Sequence, residues 1–252
     1  MKEEVSEKKE TTMAKMRLDK LLSNMGYGTR KDIKKFAKEG IILVDGKTVK
    51  DSSQHVDPDV HRVEFDGELV EYREYVYLML NKPQGVISAT EDSVEKTVVD
   101  LLDSKYHRFQ VFPVGRLDKD TEGLLILTND GKMAHELLSP RKHVPKTYYA
   151  EIKGVVTEED VIQFKEGITL DDGYKTLPSE LVIQQTGAES KIELTIYEGK
   201  FHQVKRMFLA VGKKVTFLKR MKMGNLILDP VLSLGEYREL TSEELDLLKA
   251  SE

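Results

Sequence analysis

The sequence contains no cysteine, which excludes disulfide staples and thiolate metal sites and fits a reducing compartment. Long apolar runs are missing too. Nothing approaches the roughly eighteen consecutive apolar residues that crossing a bilayer needs, so no membrane association is expected. The opening MKEEVSEKKETTMAKM is charged and has no apolar stretch, so it does not read as a secretory signal. Residues 1–15 are expected to be a disordered extension, and the expected location is cytoplasmic. Nucleotide and hydrolase signatures are also absent: there is no GxGxxG, no P-loop and no GxSxG. The six histidines are scattered without metal-ligand spacing, so no metal site is expected.

What is present begins with size. At 252 residues and 39% hydrophobic content, the chain can bury a substantial core as one large domain or two unequal ones. Its formal net charge of -5 conceals an uneven distribution. Residues 13–50 hold ten Lys/Arg against four Asp/Glu, and residues 198–222 hold eight against one. From residue 236 onward the balance reverses, with six acidic residues and two basic. Two basic segments in an acidic protein suit a polyanionic partner contacted locally. Solvated helix faces produce the same runs, so charge alone does not identify RNA.

In RLDKLLSNMGYGTRKDIKKFAKEG, the i, i+3, i+4 spacing of Leu18, Leu21 and Leu22 predicts a short amphipathic helix stopped by Gly26-Tyr27-Gly28. Thr29 is the expected N-cap of a second helix that Gly40 ends. That helix should turn Ile33, Phe36 and Ala37 inward and Arg30, Lys31, Lys34, Lys35 and Lys38 outward. Asp45-Gly46 and Asp66-Gly67, each between short β-prone runs, predict two hairpins. The charged stretch at 71–74 marks the expected boundary between units at 16–72 and 75–247. Beyond it, YVYLMLNKP, LLILTND, KTYYAEIKG and SKIELTIYEG read as strands, and KMAHELLS, TEEDVIQFKEGI and HQVKRMFLAVG as helices. Their irregular alternation predicts an α+β fold with a mixed sheet.

Two places could carry chemistry. GRLDKDTEG is a charged loop leading into a buried strand, where Asp118 beside Arg116 and Lys119 could serve as nucleophile or base; Asp120 and Asp130 compete with it. On the helix after Gly199, Val204, Met207, Phe208 and Val211 form the buried face. His202, Lys205 and Arg206 are expected to project together near its N-terminus, an arrangement suited to a phosphate or a carboxylate. Tyr148, Tyr149 and Phe201 lie near basic residues, as base-stacking side chains do.

The run GRLDKDTEGLLILTNDG resembles the signature of the RsuA/RluA-type RNA pseudouridine synthases. NKPQG at 81–85, KTYYA at 146–150 and EGKFHQVKRMF at 198–208 are similar to that family's other motifs, in the same order. RLDKLLSNMGYGTRKD resembles an S4 RNA-binding domain, and with the Lys at 205 it points to the RsuA branch. The resemblance implies a small S4-like domain followed by a larger synthase domain, with Asp118 catalytic, Lys205 its basic partner and Tyr148, rather than Tyr149, the active-site tyrosine. It further implies neither metal nor organic cofactor. RNA contacts are expected from Arg17, Arg30, Lys31, Lys34 and Lys35 of the first unit, and from Arg116, Lys119, His202, Gln203 and Arg206 of the second. The expected activity is isomerisation of one uridine in ribosomal RNA, with the small-subunit RNA or its assembly intermediate as partner and a monomer as the state. The alternatives are a large-subunit enzyme and a non-catalytic assembly factor.

Overall fold

The computed structural model describes residues 15–250; apart from Lys15, the expected extension lies outside the described residues. The chain divides into two compact units, 1–74 and 75–252.

The first unit holds β1 (Met16–Arg17), α1 (Leu18–Asn24), α2 (Arg30–Glu39), β2 (Ile42–Val44), β3 (Lys47–Thr48), β4 (His55–Val56), β5 (Val63–Phe65) and β6 (Glu68–Leu69). Thr29 and Asp32 cap α2 reciprocally: the Thr29 hydroxyl accepts from the Asp32 N–H at 3.3 Å, and the Asp32 carboxylate accepts from the Thr29 N–H at 3.0 Å. Ile33 and Ala37 are buried, whereas Arg30, Lys31, Lys34, Lys35 and Lys38 are exposed, as the spacing predicts. Strands β3-β2-β5-β6 form one sheet. Both Asp-Gly pairs take positive φ (Asp45 51°, Gly46 73°; Asp66 52°, Gly67 81°), the turn that matches strand twist. Tyr27 and Phe36 pack on Phe65, with ring centroids 4.6 and 5.4 Å away.

The second unit contains β7 (Tyr77–Lys82), a 3-10 turn (Val99–Leu101), α3 (Ser104–His107), β8 (Phe112–Pro113), β9 (Glu122–Thr128), α4 (Gly131–Leu138), β10 (Lys146–Lys153) and α5 (Glu158–Glu166). It continues with β11 (Glu180–Gln185), β12 (Glu189–Ile196), α6 (Gln203–Ala210), β13 (Lys214–Met223), β14 (Leu226–Ile227), β15 (Tyr237–Glu239) and α7 (Ser242–Lys249). The main sheet runs β11-β12-β10-β13-β9-β7-β15, with β8 on β9 and β14 on β13. All its pairings are antiparallel except β13 with β9. This is the mixed sheet of an α+β protein.

Both faces of the central strands are covered, which is why they read as unbroken apolar runs. Leu78, Leu80, Leu125 and Leu127 face one core with Phe164 of α5 and Met207 and Phe208 of α6. The alternate residues Met79, Leu124 and Ile126 face another with Met133 and Leu137 of α4 and Leu248 of α7. The parallel seam depends on Gly123 (φ 102°): a Cβ there would lie 2.2 Å from the Arg220 carbonyl oxygen. That close approach fixes where the loop before β9 emerges, beside β13, whose neighbour on the other side is β10. Among the described residues, no helix is long and apolar enough to cross a membrane.

Candidate active site

Asp118 sits in the loop entering β9, and that loop is held from beneath by the segment following β7. Lys82 is wholly buried, and its ammonium donates to the carbonyls of Pro83, Asp118 and Thr121, each at 3.0 Å. All three of its hydrogens are used. Burial pushes this amine down to about 8, against the attraction of Asp118 and Asp120. The Gly85 N–H donates to the Lys119 carbonyl at 2.8 Å, and the Ser88 hydroxyl bonds both the N–H and the carbonyl of Leu117 (3.0 and 2.9 Å). The backbone on either side of Asp118 is therefore fixed before any substrate arrives.

The carboxylate faces α6. Lys205 places its ammonium 2.8 Å from Asp118 Oδ2 and 2.6 Å from Asp120 Oδ1. Burial alone would lower the Lys205 amine, but its bonds to Asp118 and Asp120 raise it above its ordinary value. Asp120 is drawn below the usual carboxylate range, chiefly by its bond to Lys205. The two carboxylates differ in access, with side-chain exposures of 27% for Asp118 and 69% for Asp120. His202 Nε2 is 3.6 Å from Asp118 Oδ1. Asp118, Lys205 and His202, but not Asp120, line a pocket of about 90 Å3 with Tyr148, Leu218 and Arg116. Tyr148 comes from β10 and is buried. The arrangement presents an oriented carboxylate, a cation paired with it and an aromatic ring to one small volume.

Of the competing aspartates, Asp130 has another task. It caps α4, accepting from the Met133 N–H at 3.0 Å and the Tyr77 hydroxyl at 2.9 Å. Of His202, Lys205 and Arg206, the first two both face Asp118, and Arg206 turns away from them. His202 is the left-handed N-cap (φ 48°) of α6 and stacks on Phe201, ring centroids 3.8 Å apart. Arg206 is bound by Asp171 and by Asp172, the latter at 2.7 Å. Gln203, expected at the RNA surface, is instead buried. Its amide donates to Glu198 at 3.0 Å and accepts from the Lys200 N–H at 2.9 Å, so its bonds fasten the start of α6. Lys119 pairs with Glu95 at 2.7 Å, and Arg116 is exposed on the pocket rim. In the first unit, Arg17 pairs with Asp19 at 2.6 Å and Lys35 stands 3.8 Å from Glu39. The sequence marks Lys82 only as a member of the NKPQG motif and as a lysine continuing an apolar strand, and it gives no signal for Ser88. Among the described residues, no group of three or more His, Asp or Glu side chains could hold a metal ion.

The fold and the family models agree on the class: an RNA-modifying isomerase joined to an RNA-binding module. The RNA pseudouridylate synthase model matches residues 76–210, and the S4 domain model matches residues 16–60. The chain belongs to the RNA pseudouridylate synthase family. It is 57% identical to an uncharacterized RNA pseudouridine synthase, YtzG, of Bacillus subtilis (strain 168), over 92% of this chain and 98% of that one. Ribosomal small subunit pseudouridine synthase A of Vibrio parahaemolyticus is 42% identical, over 92% of this chain and 98% of its own length. Ribosomal large subunit pseudouridine synthase B of Bacillus subtilis is 40% identical, over 93% and 96%. A pseudouridylate synthase crystal structure superposes with a TM-score of 0.65 at 36% identity, covering 92% of this chain and 99% of that one.

Proposed function

We propose that the chain isomerises one uridine of small-subunit ribosomal RNA in the cytoplasm, with Asp118 as the catalytic carboxylate, Lys205 as its partner and Tyr148 as the base-facing ring. The observation carrying this reading is the 2.8 Å contact between Lys205 and Asp118 above Tyr148. The reaction breaks the N1–C1′ bond, turns the uracil and rejoins it through C5, releasing the C5 proton. A carboxylate held against the ribose can add to C1′ or remove the C2′ proton while oxocarbenium character develops. Both routes use the same atom placement. Lys205 aims the carboxylate through a charge-assisted contact. The target must leave its stack to bring its ribose against a carboxylate inside a pocket, at a cost of roughly a few kcal/mol.

The small-subunit assignment rests on the RLDKLLSNMGYGTR opening, which resembles the S4 module of small-subunit enzymes. The relatives carry both small- and large-subunit names, so a direct assay decides it. Tritium release from transcripts labelled at uridine C5, supplied as free RNA and as partly assembled particles, should occur with the small-subunit RNA alone. Release from large-subunit RNA alone would reverse the assignment.

A further inference from the structure

A second cavity, of about 330 Å3, adjoins the Asp118 pocket and shares Arg116, Tyr148, Gly199 and Lys200 with it. This volume falls at the lower end of the about 300–1,000 Å3 typical of ligand sites. Two cations from the middle of the sheet line it. Arg220 is the register partner of Tyr148 across β10 and β13, and Lys146 lies two residues before Tyr148 on β10, so alternation puts Lys146 and Tyr148 on the same face.

Lys146 is partly buried, and among the described residues its ammonium bonds only a carbonyl, that of Val144, at 2.7 Å. Arg220 lies deeper, at 2% exposure; its Nε donates to the Leu124 carbonyl at 2.8 Å, and its Nη2 has no hydrogen-bond partner among the described residues. A guanidinium keeps its charge, and a buried unpaired charge is costly. Lys146 is pushed down to about 8 by burial first and by the neighbouring Arg220 charge second, with no carboxylate contributing. Glu198, the carboxylate on the cavity wall, is occupied by the Tyr174 hydroxyl (2.6 Å), the Leu177 N–H (2.9 Å) and the Gln203 amide (3.0 Å). Two like charges thus converge on one cavity with carbonyl partners but, among the described residues, no carboxylate paired with either, a poor arrangement for stability and a good one for an anion.

We propose that this cavity is a phosphate subsite in which Lys146, backed by the Arg220 charge, takes a phosphodiester oxyanion of the RNA strand beside the target uridine. It rests on the reading of the Asp118 pocket as the uridine site. Tyr174 and Tyr197 also line the cavity, their hydroxyls held by Glu198 and Glu180. The Lys200 ammonium already lies over the Tyr174 ring, 4.5 Å from its centroid, which leaves the Tyr197 ring as the aromatic wall for the neighbouring nucleotide. Anchoring the strand one nucleotide away would hold the ribose of the flipped uridine against Asp118.

The test compares the full-length wild type with Lys146→Gln and Lys146→Arg. Three readouts are taken: thermal melting, equilibrium binding of the small-subunit ribosomal RNA transcript across a salt series, and tritium release. Lys146→Gln should melt no lower than wild type, because it removes repulsion with Arg220. It should nevertheless bind RNA about three- to tenfold more weakly, with a log K against log salt slope shallower by about one contact. Lys146→Arg should restore the slope. Unchanged affinity and slope in Lys146→Gln, or a lowered melting temperature with binding intact, would overturn the subsite. Wild-type tritium release reports separately on the uridine reading, since the binding arm needs no turnover.

Discussion

Asp118 and Lys205 meet across 87 positions of sequence, and no spacing rule could have paired them. Their contact was legible only through the motif resemblance. Local reasoning left Asp118, Asp120 and Asp130 as equals until the fold gave Asp130 to a helix cap and left Asp120 on the open side of Lys205. Lys82 was hidden for the opposite reason. A lysine before a proline reads as a strand end, yet here it braces the loop that carries Asp118. Its lowered amine makes a pH prediction. Below about pH 8 folded and unfolded states both carry the proton, and the full burial cost applies. Between about 8 and the ordinary 10.5 the unfolded state binds more protons, so stability rises with pH across that window. Urea unfolding between pH 7 and 10 should show wild type gaining on Lys82→Met as pH rises. A flat difference would show that Lys82 is not the group responsible.

Among the elements, those with local punctuation were readable. Thr29 and Gly40 bracket α2, and the Asp-Gly pairs mark both hairpins because a positive φ is needed at each central residue. The strand at the sheet centre, β13, carried no such mark. Lys214–Met223 mixes cations into its apolar positions, so it reads as a basic segment, and its Arg220 is buried only because β9 and β10 flank it. The β13–β9 seam makes a second prediction. Gly123→Ala forces a Cβ against the Arg220 carbonyl and should cost about 3 kcal/mol or more in urea unfolding. A loss below about 1 kcal/mol would mean the seam can open without penalty. On α2, replacing Arg30, Lys31, Lys34 and Lys35 together by Gln should leave melting nearly unchanged, since these side chains are exposed. RNA affinity should fall, with the salt slope shallower by about three to four contacts. An unaltered slope would remove this face from the RNA contacts.

For the molecule as a whole, net charge misleads. On the proposed reading, a chain of net charge -5 would meet a polyanion through cations gathered on α2 and around the Asp118 pocket, while the acidic residues of the C-terminal stretch lie elsewhere in the sequence. The proposed reading divides the labour: exposed cations would bind and position RNA, and the half-buried carboxylate–ammonium pair would do the chemistry. Positioning and chemistry should therefore separate on mutation. The measurement that tests this most directly is single-turnover tritium release by Asp118→Asn, beside its equilibrium RNA binding. The substitution keeps the side-chain shape and removes the reacting oxyanion. The account predicts release lost by at least about 10³-fold, with RNA affinity within about threefold of wild type. Release at a rate near wild type would contradict the assignment of Asp118, whatever the binding shows.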